Sequence, residues 1–123
     1  MQITAPKKIL ILEDEKPMAH ALELKLTHAG FETRVAFNGE EGLSYLGKES
    51  FDLILLDLVM PKMGGLAFLE AMKKDSKTPV IVISNLSQAE DEKRARDLGA
   101  QDFFIKSDVP IANIVERITQ FLK

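Results

Sequence analysis

A short apolar run that ends on a carboxylate constrains this 123-residue chain more than any other feature of its sequence. Residues 53–56 are continuously apolar, and a run of this length predicts a strand that is buried on both faces. Asp57 follows directly, and a carboxylate in the middle of such a strand would be costly to bury unless it were paired. At the carboxyl end of the strand, it can lie at the mouth of a sheet, where open α/β folds bind ligands.

The alternation of strand and helix occurs five times along the chain. Strands are predicted at residues 8–12, 31–36, 52–56, 80–83 and 103–105, and helices at 17–29, 39–47, 66–74, 87–98 and 110–122. This pattern predicts an α/β fold with a doubly wound, five-stranded parallel sheet, right-handed crossovers and helices on both faces. The first, third and fourth strands are the most apolar and should be central, which leaves the second and fifth at the edges.

Composition narrows the function classes. The length fits one domain over residues 1–123. The chain has no cysteine, a net charge of −3 and no block rich in lysine or arginine, so we expect neither thiolate chemistry nor direct binding to nucleic acid. No apolar stretch approaches the length of a membrane span, and the run at 9–12 is too short for the core of a signal peptide. We therefore expect a cytoplasmic protein whose partners are proteins.

Polar side chains follow four of the predicted strands at the point where each strand ends. They are Glu13, Asp14, Asp57, Ser84 and Lys106. Because the carboxyl ends of parallel strands lie at one edge of the sheet, we expect these side chains to meet in one cleft. Three clustered carboxylates repel each other unless a cation lies among them, and an all-oxygen ligand set selects Mg²⁺, Mn²⁺ or Ca²⁺. A carboxylate beside Mg²⁺ can attack a phosphoryl group and form an aspartyl phosphate.

Four motifs carry a resemblance to a known family. In order and spacing, residues 12–15 (LEDE), 55–61 (LLDLVMP), 82–84 (VIS) and 103–106 (FFIK) resemble the receiver domain of two-component response regulators, in particular the single-domain chemotaxis receivers. The resemblance covers the whole chain. It implies a flavodoxin-like sheet with the strand order 2-1-3-4-5.

The resemblance also implies roles for the acidic residues. Asp57 would be the phosphoacceptor and would take its phosphoryl group from the phosphohistidine of a histidine kinase or phosphotransfer protein. Asp14, Asp57 and the backbone carbonyl of Val59 would bind Mg²⁺, or Mn²⁺ in its place, and Glu13 would act through a water. By the same resemblance the chain is a signalling phosphoacceptor, and it catalyses only its own phosphorylation and slow dephosphorylation.

A second set of residues would transmit the signal. Ser84 and Lys106 match the positions that hold the phosphoryl oxygens, and Phe103 matches the aromatic switch position three residues before the lysine. Phosphorylation would draw Ser84 inward, let Phe103 rotate, and remodel the face formed by the fourth helix, fifth strand and fifth helix. That face would act on a downstream protein partner or output domain, and a phosphorylation-dependent homodimer stays open.

Two other functions use similar residues. A haloacid-dehalogenase-like phosphatase also forms an aspartyl phosphate at a strand end, but its motif needs a second aspartate where this chain has Val59. A flavodoxin-like flavin binder needs a phosphate-cradling loop after the first strand, where the acids at 13–15 would repel a phosphate. We expect a stand-alone receiver rather than a domain excised from a longer protein. The sequence names neither its kinase nor its output.

The chain departs from the family at Ser107, where proline usually follows the lysine. A cis bond before a residue other than proline costs about 2.5–4 kcal/mol, so we predict a trans bond between Lys106 and Ser107. The loop to the last helix would then be rerouted, with Ser107 or Asp108 capping that helix. The long stem of Lys106 should still reach the Asp57 cleft.

Overall fold

The computed structural model describes residues 5–72, 77–85 and 89–122 and shows strands and helices in strict alternation. The strands are β1 (Lys8–Leu12), β2 (Glu32–Ala36), β3 (Leu53–Leu56), β4 (Val80–Ser84) and β5 (Ala100–Ile105). The helices are α1 (Lys16–His28), α2 (Gly39–Lys48), α3 (Gly65–Met72), α4 (Ala89–Asp97) and α5 (Ile111–Phe121). Among these residues, no helix has both the length and the apolar composition needed to cross a membrane.

The five strands form one parallel sheet in the order β2-β1-β3-β4-β5. This order confirms the predicted topology, with the three most apolar strands in the centre. The register pairs Leu12 of β1 with Leu56 of β3, and Ser84 of β4 with Ile105 of β5. Neighbouring strands therefore end at nearly the same level, and the residues that follow them share one rim of the sheet.

Alternating side chains of the central strands divide the core into two layers. One face of the sheet packs against α1 and α5, and includes Ile9, Ile11, Leu53, Leu55, Ile81 and Ile83 with Leu22, Leu26, Ile114 and Ile118. The other face packs against α2, α3 and α4, and includes Leu10, Leu12, Ile54, Leu56 and Val82 with Phe68, Leu69, Met72 and Ala95. Helices thus cover both faces, as the alternation of elements predicted.

Local signals set the start of α2 and the end of α1. The Asn38 side chain accepts a hydrogen bond from the Glu41 N–H at 2.9 Å and caps α2. After α1, Gly30 has a φ of +98°, a left-handed conformation that suits glycine and ends the helix.

Some local expectations were wrong. Pro110 precedes α5 and no side chain caps that helix, so neither Ser107 nor Asp108 has the predicted role. In the mostly charged fourth helix, the sequence favours burial of the apolar Ala89 and Ala95; Ala95 is buried, but Ala89 is exposed. The fifth strand begins earlier than predicted, at Ala100. Residues 87–90 have the spacing of a capping box, but this segment begins outside the described residues.

Candidate phosphoacceptor site

Asp57 follows β3 directly and lies almost completely buried, at 3% exposure. Its N–H donates to the Leu12 carbonyl at 2.9 Å, which extends the β1–β3 ladder by one residue beyond the strand. Its Oδ1 accepts from the Val59 N–H at 3.2 Å, so the loop after the strand turns back onto the carboxylate. The apolar strand and this turn together fix the carboxylate at the rim of the sheet.

The two acids after β1 lie beside Asp57 because β1 and β3 are neighbours. The Glu13 N–H donates to the Ala36 carbonyl at 3.0 Å and Glu13 is fully buried, whereas Asp14 is partly exposed. Each of the three carboxyl groups offers an oxygen, and these oxygens lie within 4.8 Å of one another. The structure therefore brings together the three acids that the sequence analysis placed in one cleft.

Lys106 reaches the same cluster from the far edge strand. Its backbone N–H donates to the Ser84 carbonyl at 2.9 Å, just beyond the β4–β5 pairing. Its Nζ lies 3.0 Å from Asp57 Oδ2 and 3.0 Å from Glu15 Oε1, and it also contacts Glu13 Oε1. The described residues contain no cis peptide bond, which confirms the predicted trans bond before Ser107. The contacts of the Nζ confirm that the lysine still reaches the cleft.

The charges of this cluster shift their neighbours' proton affinities. Burial raises the pKa of Glu13 from 4.5 to about 7, and the nearby Asp57 adds to this, although Lys106 and the Glu15 N–H oppose it. Burial lowers the pKa of Lys106, but its contacts with three carboxylates outweigh burial and hold that pKa above its usual value. The lysine therefore stays charged and partly neutralises the acids.

The donor set also fits a divalent cation. Glu13 Oε1 is buried and contacts the Lys106 ammonium. One lysine faces three clustered carboxyl groups, and carboxylate oxygens are ligands that hard cations such as Mg²⁺ prefer.

The two predicted switch residues lie on the neighbouring strands β4 and β5. Ser84 is fully buried at the end of β4. Phe103 pairs with Val82 two residues further from the rim, is partly exposed, and packs against the core layer that contains α2, α3 and α4. Both predicted positions are therefore next to the strand end that carries Lys106.

A cleft of about 280 Å³ opens over the carboxylates, and its lining includes Glu15 and Asn85. Asn85 follows Ser84 at a position where the family commonly has a small residue, and the resemblance implies that its larger side chain slows the access of a phosphate donor or water. The sequence analysis assigned Glu15 no role in the site beyond its place in the acidic run before α1, and its only sequence signal was its position next to Glu13 and Asp14. A larger cavity of about 380 Å³ lies between α2 and α3 at the opposite rim, and none of the predicted site residues lines it.

The family of the chain follows from a comparison with known proteins. A family model described as "Response regulator receiver domain" matches residues 9–119, a span that contains every residue of the cleft. The chain belongs to the response regulator receiver family. It is thus a signalling domain, as its motifs predicted, and the phosphatase alternative is not favoured.

Curated relatives of this receiver domain include the response regulators ArlR of Staphylococcus saprophyticus and Staphylococcus aureus. Each is 34% identical over 116 residues, a match that covers 94% of this chain and 52% of the relative. The receiver domain thus spans about half the length of these relatives.

Solved structures give the same family. The receiver domain of the Francisella response regulator 1452 has a TM-score of 0.88 and 29% identity, and the match covers 94% of this chain and 96% of that one. A CheY-like receiver domain from Methanospirillum hungatei has a TM-score of 0.88 and 28% identity, with coverage of 95% and 94%. These matches confirm the flavodoxin-like fold.

Proposed function

We propose that this receiver domain accepts a phosphoryl group on Asp57 from the phosphohistidine of a histidine kinase or phosphotransfer protein. One observation carries the proposal: the Asp57 carboxylate lies at a central strand end, oriented by the Val59 N–H and Lys106, beside two further acids. The residue matches the phosphoacceptor position of the family motif. A cleft over it leaves room for a donor.

In the proposed step, one carboxylate oxygen of Asp57 attacks phosphorus, a P–O bond forms and the P–N bond of the phosphohistidine breaks. The imidazole leaves with the bonding electron pair and is neutral once it holds one proton. No oxidant, reductant or further group is needed. Later hydrolysis of the aspartyl phosphate by water restores the carboxylate and releases inorganic phosphate.

Mg²⁺ is the cofactor we propose, and Mn²⁺ could replace it. Asp14, Asp57 and the backbone carbonyl of Val59 would hold the ion, with Glu13 acting through a water. When bound, it would supply positive charge to the phosphoryl oxygens as the transfer proceeds. The fit rests on the clustered carboxylates, which offer oxygens within 4.8 Å of one another.

Lys106 and Ser84 would bind the phosphoryl oxygens. For this, Lys106 must move part of its contact from Asp57 Oδ2 to the new phosphoryl group. Ser84 is the last residue of β4 and lies next to Lys106, and its inward movement would give Phe103 space to rotate. The phosphoryl group would thus add contacts to one of two states of the α4-β5-α5 face.

The remaining parts of the proposal concern the surroundings of the domain. We propose that the chain acts in the cytoplasm as a phosphoacceptor whose only catalysis is its own phosphorylation and dephosphorylation. The α4-β5-α5 face would control a protein partner or an output domain. A homodimer formed upon phosphorylation is one arrangement through which that face could act.

Incubation with acetyl phosphate and Mg²⁺ tests the proposal by intact-mass spectrometry. The parent protein should gain one phosphoryl group, whereas Asp57→Asn should gain none, because the amide is not a competent nucleophile. Hydrogen exchange in residues 89–104 should change in the phosphorylated parent and not in the variant.

Asp14→Ala serves as a second comparison, since it should abolish Mg²⁺-dependent phosphorylation while leaving Asp57 in place. If Asp57→Asn is modified as readily as the parent, Asp57 is not the acceptor. An exchange response confined to residues 57–64 would contradict the proposed switch face.

A further inference from the structure

Glu15 occupies the N-cap position of α1 but does not use its side chain to cap the helix. Its backbone carbonyl accepts from the Ala19 N–H at 2.9 Å, and its own N–H donates to Glu13 Oε2 at 3.1 Å. The side chain instead extends over the cleft, where Oε1 lies 3.0 Å from Lys106 Nζ. It is 61% exposed, so it forms the outer end of an otherwise buried set of charges.

The Lys106 ammonium has three N–H groups and contacts three carboxylates. Two of these carboxylates, Glu13 and Asp57, are buried, and all four of their oxygens already have a partner. Oε1 of Glu13 and Oδ2 of Asp57 face the ammonium, while Oε2 and Oδ1 accept backbone N–H groups from Glu15 and Val59. A divalent cation that enters this cluster must therefore compete with Lys106.

We propose that Glu15 is a positioning residue for Lys106, and that it draws the ammonium toward the cleft mouth when a divalent cation takes the buried carboxylates. The contact at the mouth keeps the lysine in the cleft but away from the oxygens that the cation needs. The lysine is then held where an incoming phosphoryl group arrives. This inference rests on the metal site of the proposed function and deepens it.

The geometry predicts the direction of the effect. Without the Glu15 charge, Lys106 would be shared only between Glu13 and Asp57, and would compete more strongly with a cation. The loss of one negative charge near the cluster would also weaken cation binding directly. The ion pair itself should add little to folding stability, because one partner is largely exposed to solvent. A positioning role is thus separable from a structural one.

The test compares Glu15→Gln with the parent by calorimetric titration with Mg²⁺, in the full chain. We expect the dissociation constant to rise about fivefold, a size typical of coupling between groups in one charge network. In a Lys106→Met background, the same Glu15→Gln change should raise it less than about twofold, because only the direct charge effect remains. Glu23→Gln on α1 removes an equal charge outside the cleft and should leave the Mg²⁺ dissociation constant unchanged in both the parent and the Lys106→Met background.

A second measurement follows the Lys106 ammonium by nitrogen NMR. In the parent, addition of Mg²⁺ should shift its signal, and Glu15→Gln should alter both the metal-free position and the shift. An equal loss of Mg²⁺ affinity in both lysine backgrounds, or an ammonium signal unchanged by Glu15→Gln, would overturn the positioning role. If the parent itself binds no Mg²⁺, the metal site of the proposed function fails instead.

Discussion

Both ends of the central sheet carry ion pairs, and the two sets are built in opposite ways. At the amino end of the strands, Lys8 and Arg34 face Glu32 and Glu49, with the shortest contact 2.8 Å from Lys8 Nζ to Glu49 Oε1. These side chains are 24–44% exposed, and two cations balance two carboxylates. At the carboxyl end, Lys106 contacts three carboxylates, those of Glu13, Glu15 and Asp57, and Asp14 adds a fourth acid beside Glu13 and Asp57.

The proton affinities of the acids show the consequence. A hydrogen bond from Lys8 holds the pKa of Glu49 below its usual value, whereas burial raises that of Glu13 to about 7. A balanced, solvated network stabilises its carboxylates as anions. A buried network with more carboxylates than cations destabilises those anions, and it lowers its free energy by binding a proton or a cation. The difference supports the proposal that the carboxyl end is the functional end of the sheet.

The largest expected effect is the loss of the lysine from the buried network. Lys106→Met should lower the free energy of unfolding by about 4 kcal/mol at pH 8, because Glu13 and Asp57 lose their buried counter-ion. Urea denaturation followed by circular dichroism measures it. The exposed residue Lys25 provides the control, since Lys25→Met should have little effect. A loss no greater than that of the control would mean that the two ends of the sheet do not differ as described.

A smaller effect concerns pH. The folded state raises the pKa of Glu13 from 4.5 to about 7, so it holds the proton over a pH range in which the unfolded chain has released it. This contribution to stability is complete below pH 4.5 and is lost as the pH rises through 7. Glu13→Gln cannot titrate, and its unfolding free energy relative to the parent should therefore increase by about 3 kcal/mol between pH 4.5 and pH 8 without metal. If the free energy of unfolding changes with pH equally in the two proteins, the pKa of Glu13 is not raised.

The smallest effect is expected at the amino end. Lys8→Met removes a cation from the exposed network, but Arg34 remains 3.3 Å from Glu49, and water solvates both acids. Its melting temperature should fall far less than that of Lys106→Met, and the fall should shrink further at high salt because exposed charges are screened. A loss as large as that of Lys106→Met would show that the amino-end network is as strongly coupled as the carboxyl-end one.

The sequence predicted the sheet well because its signals there are local. Runs such as residues 53–56 and 80–83 are apolar at every position, which only a central strand requires, and the polar Thr33 and Arg34 marked β2 as an edge. Packing that depends on tertiary context was predicted less well. Phe68 was not assigned to the core, yet it is fully buried, because α3 turns that side chain onto the sheet beside Leu12 and Gly42.

The site was predicted as a set of positions but not as a set of contacts. Strand ends placed Glu13, Asp57 and Lys106 at one rim, and the structure brings them into contact. The part played by Glu15 could not be predicted, since an acid before a helix usually interacts with the N-terminal backbone. The structure shows that the Glu15 side chain extends over the cleft to Lys106 instead of capping α1.

The sheet order has a consequence for the folding pathway. The acids follow β1 and β3, which are neighbours in the sheet and both lie in the first half of the chain. Lys106 follows β5, the last strand, at the edge of the sheet, and lies 91 residues from Glu15 in sequence. Contacts between distant residues form slowly because a long loop must close first. A partly folded chain without β5 therefore holds Glu13, Asp14 and Asp57 together with no ammonium among them. We expect the docking of β5 to be the late step, favoured by the attraction between the Lys106 ammonium and the waiting acids.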